Sequence, residues 1–280
     1  MPIPFTKMQG LGNDFVVFDG VSHHIDLSSE QFRWIAHRRF GVGCDQILIV
    51  ERAERPDVDF RFRIYNADGS EAEQCGNGAR CIARFARDRG LTQKDEIIVD
   101  SLAGVSTLRL EASGEVTVEM GIPEFDPANV PFAVKTPQIV YNLEIDGKQI
   151  QVSVLSLGNP HAVQIVDDID NGLVESQGPL IESHPRFPRR VNAGFMKVVD
   201  RRHVHLRVHE RGVGETLACG SGAGAAVIVG CRRGLLDETV QVTLPGGTAR
   251  VAWAGEGEPV LLTGPAVTTY EGTIEVASLL

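Results

Sequence analysis

The 280-residue chain is poor in aromatic residues, at 6%, and has no strongly basic region; its formal net charge is −10. A nucleic-acid partner needs a basic face. The densest basic runs, "HRRF" at Arg38 and "PRFPRR" at Arg189, are short and read as solvated surface. No apolar run approaches the ~20 residues of a membrane span; the strongest, "GAGAAVIVGC", covers 222–231. The opening "MPIPFTKMQG" lacks a basic start followed by an apolar core, so no secretory signal and a cytoplasmic location with reduced thiols are expected. Cys-x-x-Cys pairs are absent too. The five cysteines, Cys44, Cys75, Cys81, Cys219 and Cys231, are odd in number, which argues against a disulfide framework and a structural zinc site. In "HVHLRVHE" His203, His205 and His209 can share one face of a strand. No cysteine or carboxylate cluster stands beside them at metal-ligand spacing, so they read as an exposed strand face and no metal is expected.

What is present is apolar bulk and glycine. Hydrophobic residues make up 42% and there are 30 glycines. That bulk suits one large domain or two modest ones, built from many short strands and tight turns.

The chain also repeats itself. "FRIYNADGSEAEQCGNGA" (62–79) lies without a gap over "LRVHERGVGETLACGSGA" (206–223), at an offset of 144 residues set by Cys219 against Cys75. Arg63 meets Arg207, Glu71 meets Glu215, and Gly76, Gly78 and Ala79 meet Gly220, Gly222 and Ala223. Gly90 meets Gly234, and upstream "GLGND" (10–14) resembles "SLGNP" (156–160). A period of half the chain is far longer than the roughly 20–50 residues of a solenoid repeat. It indicates a duplication into two similar domains.

Each half shows an alternating strand ("DFRFRI", "HVHLRV"), a Gly-rich turn, the cysteine, then a helix. The first helix carries Ala79, Ile82, Ala83, Phe85 and Ala86 inward, with Arg80, Arg84 and Arg87 expected on its surface and Gly90 as its end. The second is small and apolar all round, so it is expected to be buried. "SSEQFRWIAHRRFG" (28–41) reads as a helix opened by a Ser28/Gln31 capping box and stopped at Gly41. "IDGKQI" reads as a hairpin through Asp146-Gly147. Most other segments are strand-like, without a βαβ rhythm. The expected class is α+β: two pseudo-symmetric domains, each a curled, mainly antiparallel sheet with a central helix. The expected division is 1–119 and 120–264, with a C-terminal strand over 265–280 returning to the first domain and a site in the cleft between the domains.

A cysteine at a helix start meets unpaired backbone N–H groups and the positive end of the macrodipole. Both favour the thiolate, so pKa values below the ordinary ~8.5 are expected for Cys75 and Cys219. The amides of Gly76 and Asn77, and of Gly220 and Ser221, can cradle an anion. Taken alone, each cysteine is more simply a small buried residue, and each Gly-rich turn is weak evidence. The pairing changes the balance, because duplicated packing positions have no need to keep cysteine twice. Two thiols on opposite faces of one carbon, one ionised and one not, suit removal of a proton from one face and delivery to the other. No lysine among Lys7, Lys94, Lys135, Lys148 and Lys197 marks a pyridoxal site, so no cofactor is expected. Cys44, Cys81 and Cys231 read as core.

"ADGSEAEQCGNGARC", "ERGVGETLACGSGAGA", "GLGNDF", "GVGCDQ" and "SLGNPHAV" together resemble the diaminopimelate epimerases, cofactor-independent amino-acid epimerases, over nearly the whole chain. The resemblance implies interconversion of the small molecules LL- and meso-diaminopimelate without pyridoxal phosphate or metal, at a site in the cleft between the domains, and a homodimer with Tyr270 as a candidate interface residue. It makes Cys75 the proton donor and Cys219 the acceptor for one direction, with His161 and Glu210 tuning the cysteines. It assigns substrate binding to Asn13, Gln46, Asn66, Gly76, Asn77, Asn159, Asn192, Glu210, Arg211, Gly220 and Ser221. In the duplication Asn66 meets Glu210 and Ala67 meets Arg211, an asymmetry that suits a substrate with a second, unreactive amino-acid head. Other readings are a proline- or hydroxyproline-type racemase, a non-catalytic relative binding an anionic metabolite, and a redox sensor using a Cys75–Cys219 disulfide.

Overall fold

A computed structural model describes residues 2–72, 75–170 and 172–275. The elements run β1 (Ile3–Gly10), β2 (Asn13–Asp19), α1 (Ser29–Ala36), β3 (Gln46–Arg52), β4 (Phe60–Asn66), β5 (Glu71–Ala72), α2 (Gly76–Asp88), β6 (Glu96–Ser101), β7 (Gly104–Leu110) and β8 (Val116–Glu119). They continue with β9 (Tyr141–Ile145), β10 (Lys148–Ser156), β11 (Pro160–Ile165), α3 (Leu173–Glu182), β12 (Asn192–Asp200), β13 (His203–Glu210), β14 (Gly214–Thr216), α4 (Gly220–Arg232), β15 (Thr239–Leu244), β16 (Gly247–Trp253), β17 (Val260–Gly264) and β18 (Val267–Ile274). The chain divides into two compact units, Met1–Val118 with Gly264–Leu280, and Glu119–Thr263. Residues 276–280 of the expected C-terminal strand lie outside the described residues.

In the first unit β18, β1 and β2 pair antiparallel in turn, β2 runs parallel to β3, β3 and β4 are antiparallel, and β4 takes β5 antiparallel and β6 parallel. Antiparallel β6–β7 and β7–β8 complete it. The second unit repeats the same pattern with β9, β10, β11, β12, β13, β14, β15, β16 and β17 in the corresponding places. The class is α+β and mainly antiparallel. The parallel pairs β2/β3 and β11/β12 are each joined through a helix, however, so a βαβ rhythm is present where the sequence suggested none. Even an ion pair is duplicated: Arg63 Nε donates to Glu71 at 2.8 Å, and Arg207 Nε to Glu215 at 2.6 Å.

Each sheet has helices on both faces. In the first unit α2 packs on β1, β2, β3 and β7. On the other face Phe32 and Ile35 of α1 join Val16, Phe18, Ile47, Ile49 and Tyr65, with Phe32 stacked on Tyr65 at 3.8 Å. Coverage of both faces explains why "ILIV" in β3 is apolar without alternation. Each of its side chains is fully buried, contributing about 1.5–3 kcal/mol over exposure. In the second unit α4, buried from Gly222 through Gly230, takes the place of α2.

Three expectations need correction. Helix α1 carries the Ser28/Gln31 capping box but ends at Ala36, not Gly41. His37 leaves the helical region, its ring Nδ1 accepts the Arg39 and Phe40 amides, and the Gly43 and Cys44 amides return to cap the Ile35 and Ala36 carbonyls. Arg80, expected on the surface, is fully buried. Cys231, read as core, is only half-buried, its thiol donating to the Asp237 carbonyl at 3.2 Å. Cys44 and Cys81 are buried, and burial pushes both thiols up to about 12. The hairpin at Asp146-Gly147 forms as read, both residues having positive φ. Among the described residues no helix is long and apolar enough to cross a membrane.

Candidate active site

In the first unit the site residues gather at one end of the sheet. Asn13 opens β2, Gln46 opens β3 and Asn66 closes β4, with Gln46 directly opposite Asn66 in register. Gln46 Nε2 donates to Asn66 Oδ1 at 2.9 Å. Cys75 is the N-cap of α2, and its Sγ accepts the Gly78 amide at 3.3 Å. The Cys75 thiol in turn points at Asn13 Oδ1, 3.7 Å away. Gly76 and Asn77 form the first turn of α2, with the Asn77 side chain buried and its Nδ2 donating to Asn13 Oδ1 at 3.2 Å.

The second unit places equivalent residues in equivalent positions. Asn159 precedes β11, Asn192 opens β12, Glu210 closes β13 and Cys219 is the N-cap of α4. Asn159, Asn192, Glu210 and Cys219 thus correspond to Asn13, Gln46, Asn66 and Cys75. Gly220 and Ser221 form the first turn of α4, and Ser221 Oγ lies 3.7 Å from Cys219 Sγ. His161 is buried opposite Asn192 in register, its Nε2 3.0 Å from Asn159 Oδ1. Asn192 is a clamp: its Nδ2 donates to the Pro160 carbonyl at 3.0 Å and its Oδ1 accepts the Arg211 amide at 2.9 Å. The buried Glu182 carboxylate holds the same loop by accepting the Gly212 amide at 2.7 Å. Arg211 itself is exposed, with Nη1 donating to the Arg189 carbonyl at 3.2 Å.

Electrostatics separate expectation from outcome at Cys219. Its thiol is held well above the ordinary thiol value, not below it. Burial is the largest cause, and the Glu210 carboxylate adds to it, both as a charge and as acceptor of the thiol proton. The nearby Gly222 amide and Ser221 hydroxyl pull the other way and do not prevail. The helix terminus was the legible part of this environment; the desolvation was not. Burial, and secondarily the charge of Arg211, pushes His161 down to about 3, so the ring is neutral at physiological pH. The ring therefore carries no positive charge there. Glu210 lies at the cysteine and also accepts a short bond from the Thr216 hydroxyl.

A pH prediction follows. Glu210→Gln removes a charge that disfavours the thiolate, so alkylation of Cys219 should begin at lower pH than in the parent protein. Burial remains, so the midpoint should stay above that of an ordinary thiol. Mass-spectrometric rates at Cys219 across pH measure this; an unmoved midpoint would show that Glu210 does not act on the sulfur.

The model of the family described as "Diaminopimelate epimerase" matches residues 5–125 and 153–269, one stretch in each half. This chain belongs to the diaminopimelate epimerase family. A diaminopimelate epimerase of Ralstonia nicotianae is 56% identical over 286 aligned positions, covering 100% of this chain and 98% of the relative. One from Nitrosospira multiformis is 55% identical, covering 99% of both. Among solved structures, a hydroxyproline epimerase from Agrobacterium vitis matches with a TM-score of 0.72 at 15% identity, covering 98% of this chain and 92% of the other. A Bacillus anthracis protein of the PhzF family matches at 0.66 and 18%, covering 98% and 99%. At such identities these two speak for the fold alone.

For this family member, the sequence reading missed the charged residues behind the asparagines. Asp14 on β2 and Asp45, the residue just before the parallel β3, each accept the other's backbone amide, at 3.0 and 3.1 Å. Arg38 bridges the two carboxylates, and Lys7, passed over as an unremarkable strand lysine, is buried against Asp14 and the Gly43 carbonyl. These contacts hold the Asp14 carboxyl down to about 2 despite burial. The available signal was "GNDF" and "GCDQ", each placing an aspartate next to a site amide.

Proposed function

We propose that this diaminopimelate epimerase family member is an isomerase that interconverts LL- and meso-diaminopimelate by a two-base mechanism. Cys75 is the proton donor and Cys219 the acceptor in one direction, with the roles exchanged in the other. One observation carries the reading: Cys75 and Cys219 occupy the same position, the N-cap of the same buried helix, in two halves that share their entire strand pattern. A duplicated fold that keeps a thiol at both copies of one position suits a reaction needing two equivalent acid–base groups.

The chemistry requires the two sulfurs on opposite faces of one α-carbon. Cys219, held as a thiol by burial, becomes a base once its proton passes to the adjacent Glu210 carboxylate. Negative charge developing on the substrate is met by the helix-start amides of Gly76 and Asn77 and of Gly220 and Ser221. Gln46, Asn66, Asn159 and Asn192 frame the polar ends of the substrate, and Arg211 offers a guanidinium fork to the distal carboxylate. The scheme uses neither pyridoxal phosphate nor metal. The replacement of Asn66 and Ala67 by Glu210 and Arg211 in the second copy favours a two-headed substrate. The same reading makes the protein a cytoplasmic homodimer in lysine and cell-wall precursor supply. Tyr270 on β18, 45% exposed and edge-on to Phe5 at 6.0 Å, is its candidate interface residue.

Isotope exchange tests the mechanism. With LL-diaminopimelate in heavy water, a thiol equilibrated with solvent delivers deuterium to the product. The recovered substrate should therefore stay unlabelled at early times while the meso product carries one α-deuterium. A single base returning its proton to either face would label both alike, and equal labelling would end the two-base reading.

A further inference from the structure

Asn13 and Asn77 lie in a polar chain whose two ends fix the direction of every amide within it. At one end Asp45 Oδ2 accepts from Asn13 Nδ2 at 2.9 Å. A carboxylate at neutral pH only accepts, so the Asn13 amino group must face Asp45 and its carbonyl must face away. At the other end the fully buried Arg80 donates from Nη2 to Asn77 Oδ1 at 2.8 Å and from Nε to the Pro265 carbonyl at 3.2 Å. A guanidinium only donates, so the Asn77 carbonyl must face Arg80 and its amino group must face Asn13. The middle bond, Asn77 Nδ2 to Asn13 Oδ1 at 3.2 Å, agrees with both constraints. An isolated amide could turn over with little penalty; this pair cannot, because turning either one would set donor against donor or acceptor against acceptor.

We infer that Asp45 and Arg80 are positioning residues, which lock the Asn13 carbonyl onto the Cys75 thiol and so keep that sulfur supplied with a proton to donate. The inference rests on the reading of Cys75 as a proton donor. The locked carbonyl at 3.7 Å accepts S–H and repels a thiolate, while the Gly78 amide at 3.3 Å holds the sulfur from the other side. Asp45 is itself held by Arg38 at 2.7 Å and by the Asp14 amide at 3.1 Å, so the acceptor end is rigid.

The second unit shows that the fold does not need this chain. At the positions of Asp45, Asn77 and Arg80 it has Val191, Ser221 and Gly224. Asn159, in the place of Asn13, turns to His161, and Cys219 has the Glu210 carboxylate as its acceptor. The same scaffold thus offers a charged acceptor to one thiol and a neutral, direction-locked acceptor to the other.

The test is the rate of iodoacetamide alkylation at Cys75 as a function of pH. It is read on the tryptic peptide Ile64–Arg80, where Cys75 is the one cysteine. Asp45→Asn is nearly isosteric at an exposed position but presents an amino group as well as a carbonyl, so the Asn13 amide loses one of its two constraints and only the Asn77 end still opposes its turning. With its amino group turned toward the sulfur, the thiolate is favoured, and alkylation at neutral pH should rise about tenfold. Arg38→Gln loosens the same loop while leaving the Asp45 carboxylate in place, and should leave the curve where it is. Superimposable curves for the parent and Asp45→Asn would overturn the inference. So would an equal shift in Arg38→Gln, which would mean general loosening. Failure of the catalytic reading is separate: it would show as retained epimerisation in Cys75→Ser, with the alkylation curves unaffected.

Discussion

Cys219→Ser is expected to abolish net epimerisation, lowering turnover by about 10³-fold or more, with the protein still folded. A serine hydroxyl is not appreciably ionised near neutral pH, and positioned acid–base groups typically contribute about 10²–10⁴-fold. The buried site tolerates the change. The hydroxyl fits where the larger sulfur sat, and Glu210 remains beside it to accept the proton that the thiol donated, so no polar group is left unpaired. The thermal midpoint should therefore stay close to that of the parent. The two-base scheme adds a finer expectation. With Cys75 intact, the stereoisomer whose α-hydrogen faces Cys75 should still exchange that hydrogen slowly with solvent, without inverting. Cys75→Ser should show the complementary pattern with the other stereoisomer. Chiral chromatography with deuterium counting separates inversion from exchange. Near-parental inversion in either variant would remove that sulfur from the mechanism.

The duplication was legible because it is written in matched residues: Arg63/Glu71 and Arg207/Glu215 form the same ion pair on the same strand pair in each unit. The buried nature of α4 was equally legible from its lack of a polar face. What escaped was set by tertiary context. Helix α3 went unread because it begins at a left-handed Gly172 without a side-chain cap and carries Gly178 and Pro179 inside it. Gly178 is required there, since a Cβ would stand 2.7 Å from His209 Cβ. Arg80 read as surface because local pattern cannot announce a buried guanidinium, yet Gly10 and Gly264 leave room for it. The helix-start position of the cysteines was visible in the sequence. The direction of the Cys219 shift was not, because burial and a carboxylate brought from β13 outweigh the helix terminus. The candidate substrate-binding amides came from family resemblance; nothing in a lone Asn13 or Asn159 distinguishes it from a turn former. Their common placement at strand ends beside a helix N-cap is what the structure adds.

Gly222→Ala should lower turnover by about 10–100-fold while leaving stability nearly unchanged. Gly222 lies in the first turn of α4, where alanine is the better helix former by about 1 kcal/mol. Substitution alone would therefore stabilise the helix. The added Cβ, however, would sit 3.2 Å from Cys219 Sγ and 3.0 Å from a Val208 methyl. Val208 is packed in β13 and the sulfur is at the end of a short side chain, so the sulfur gives way by a few tenths of an ångström. Displacement of a reacting atom on that scale is enough to degrade an acid–base geometry severely. The equivalent Gly78→Ala places its Cβ 3.5 Å from Cys75 Sγ and 3.2 Å from Leu48 Cδ2, an easier fit, so its loss should be smaller. Gly224→Ala is the contrast: its Cβ would meet Leu157 Cδ1 at 2.8 Å and is not in contact with the sulfur. That variant should lose thermal stability with turnover comparatively spared. The expected order of activity loss is therefore Gly222 > Gly78 > Gly224, opposite to the order of stability loss between the first and last. If activity instead tracked the thermal midpoint across the three, the placement of Cys219 Sγ by its helix turn would not be what limits the reaction.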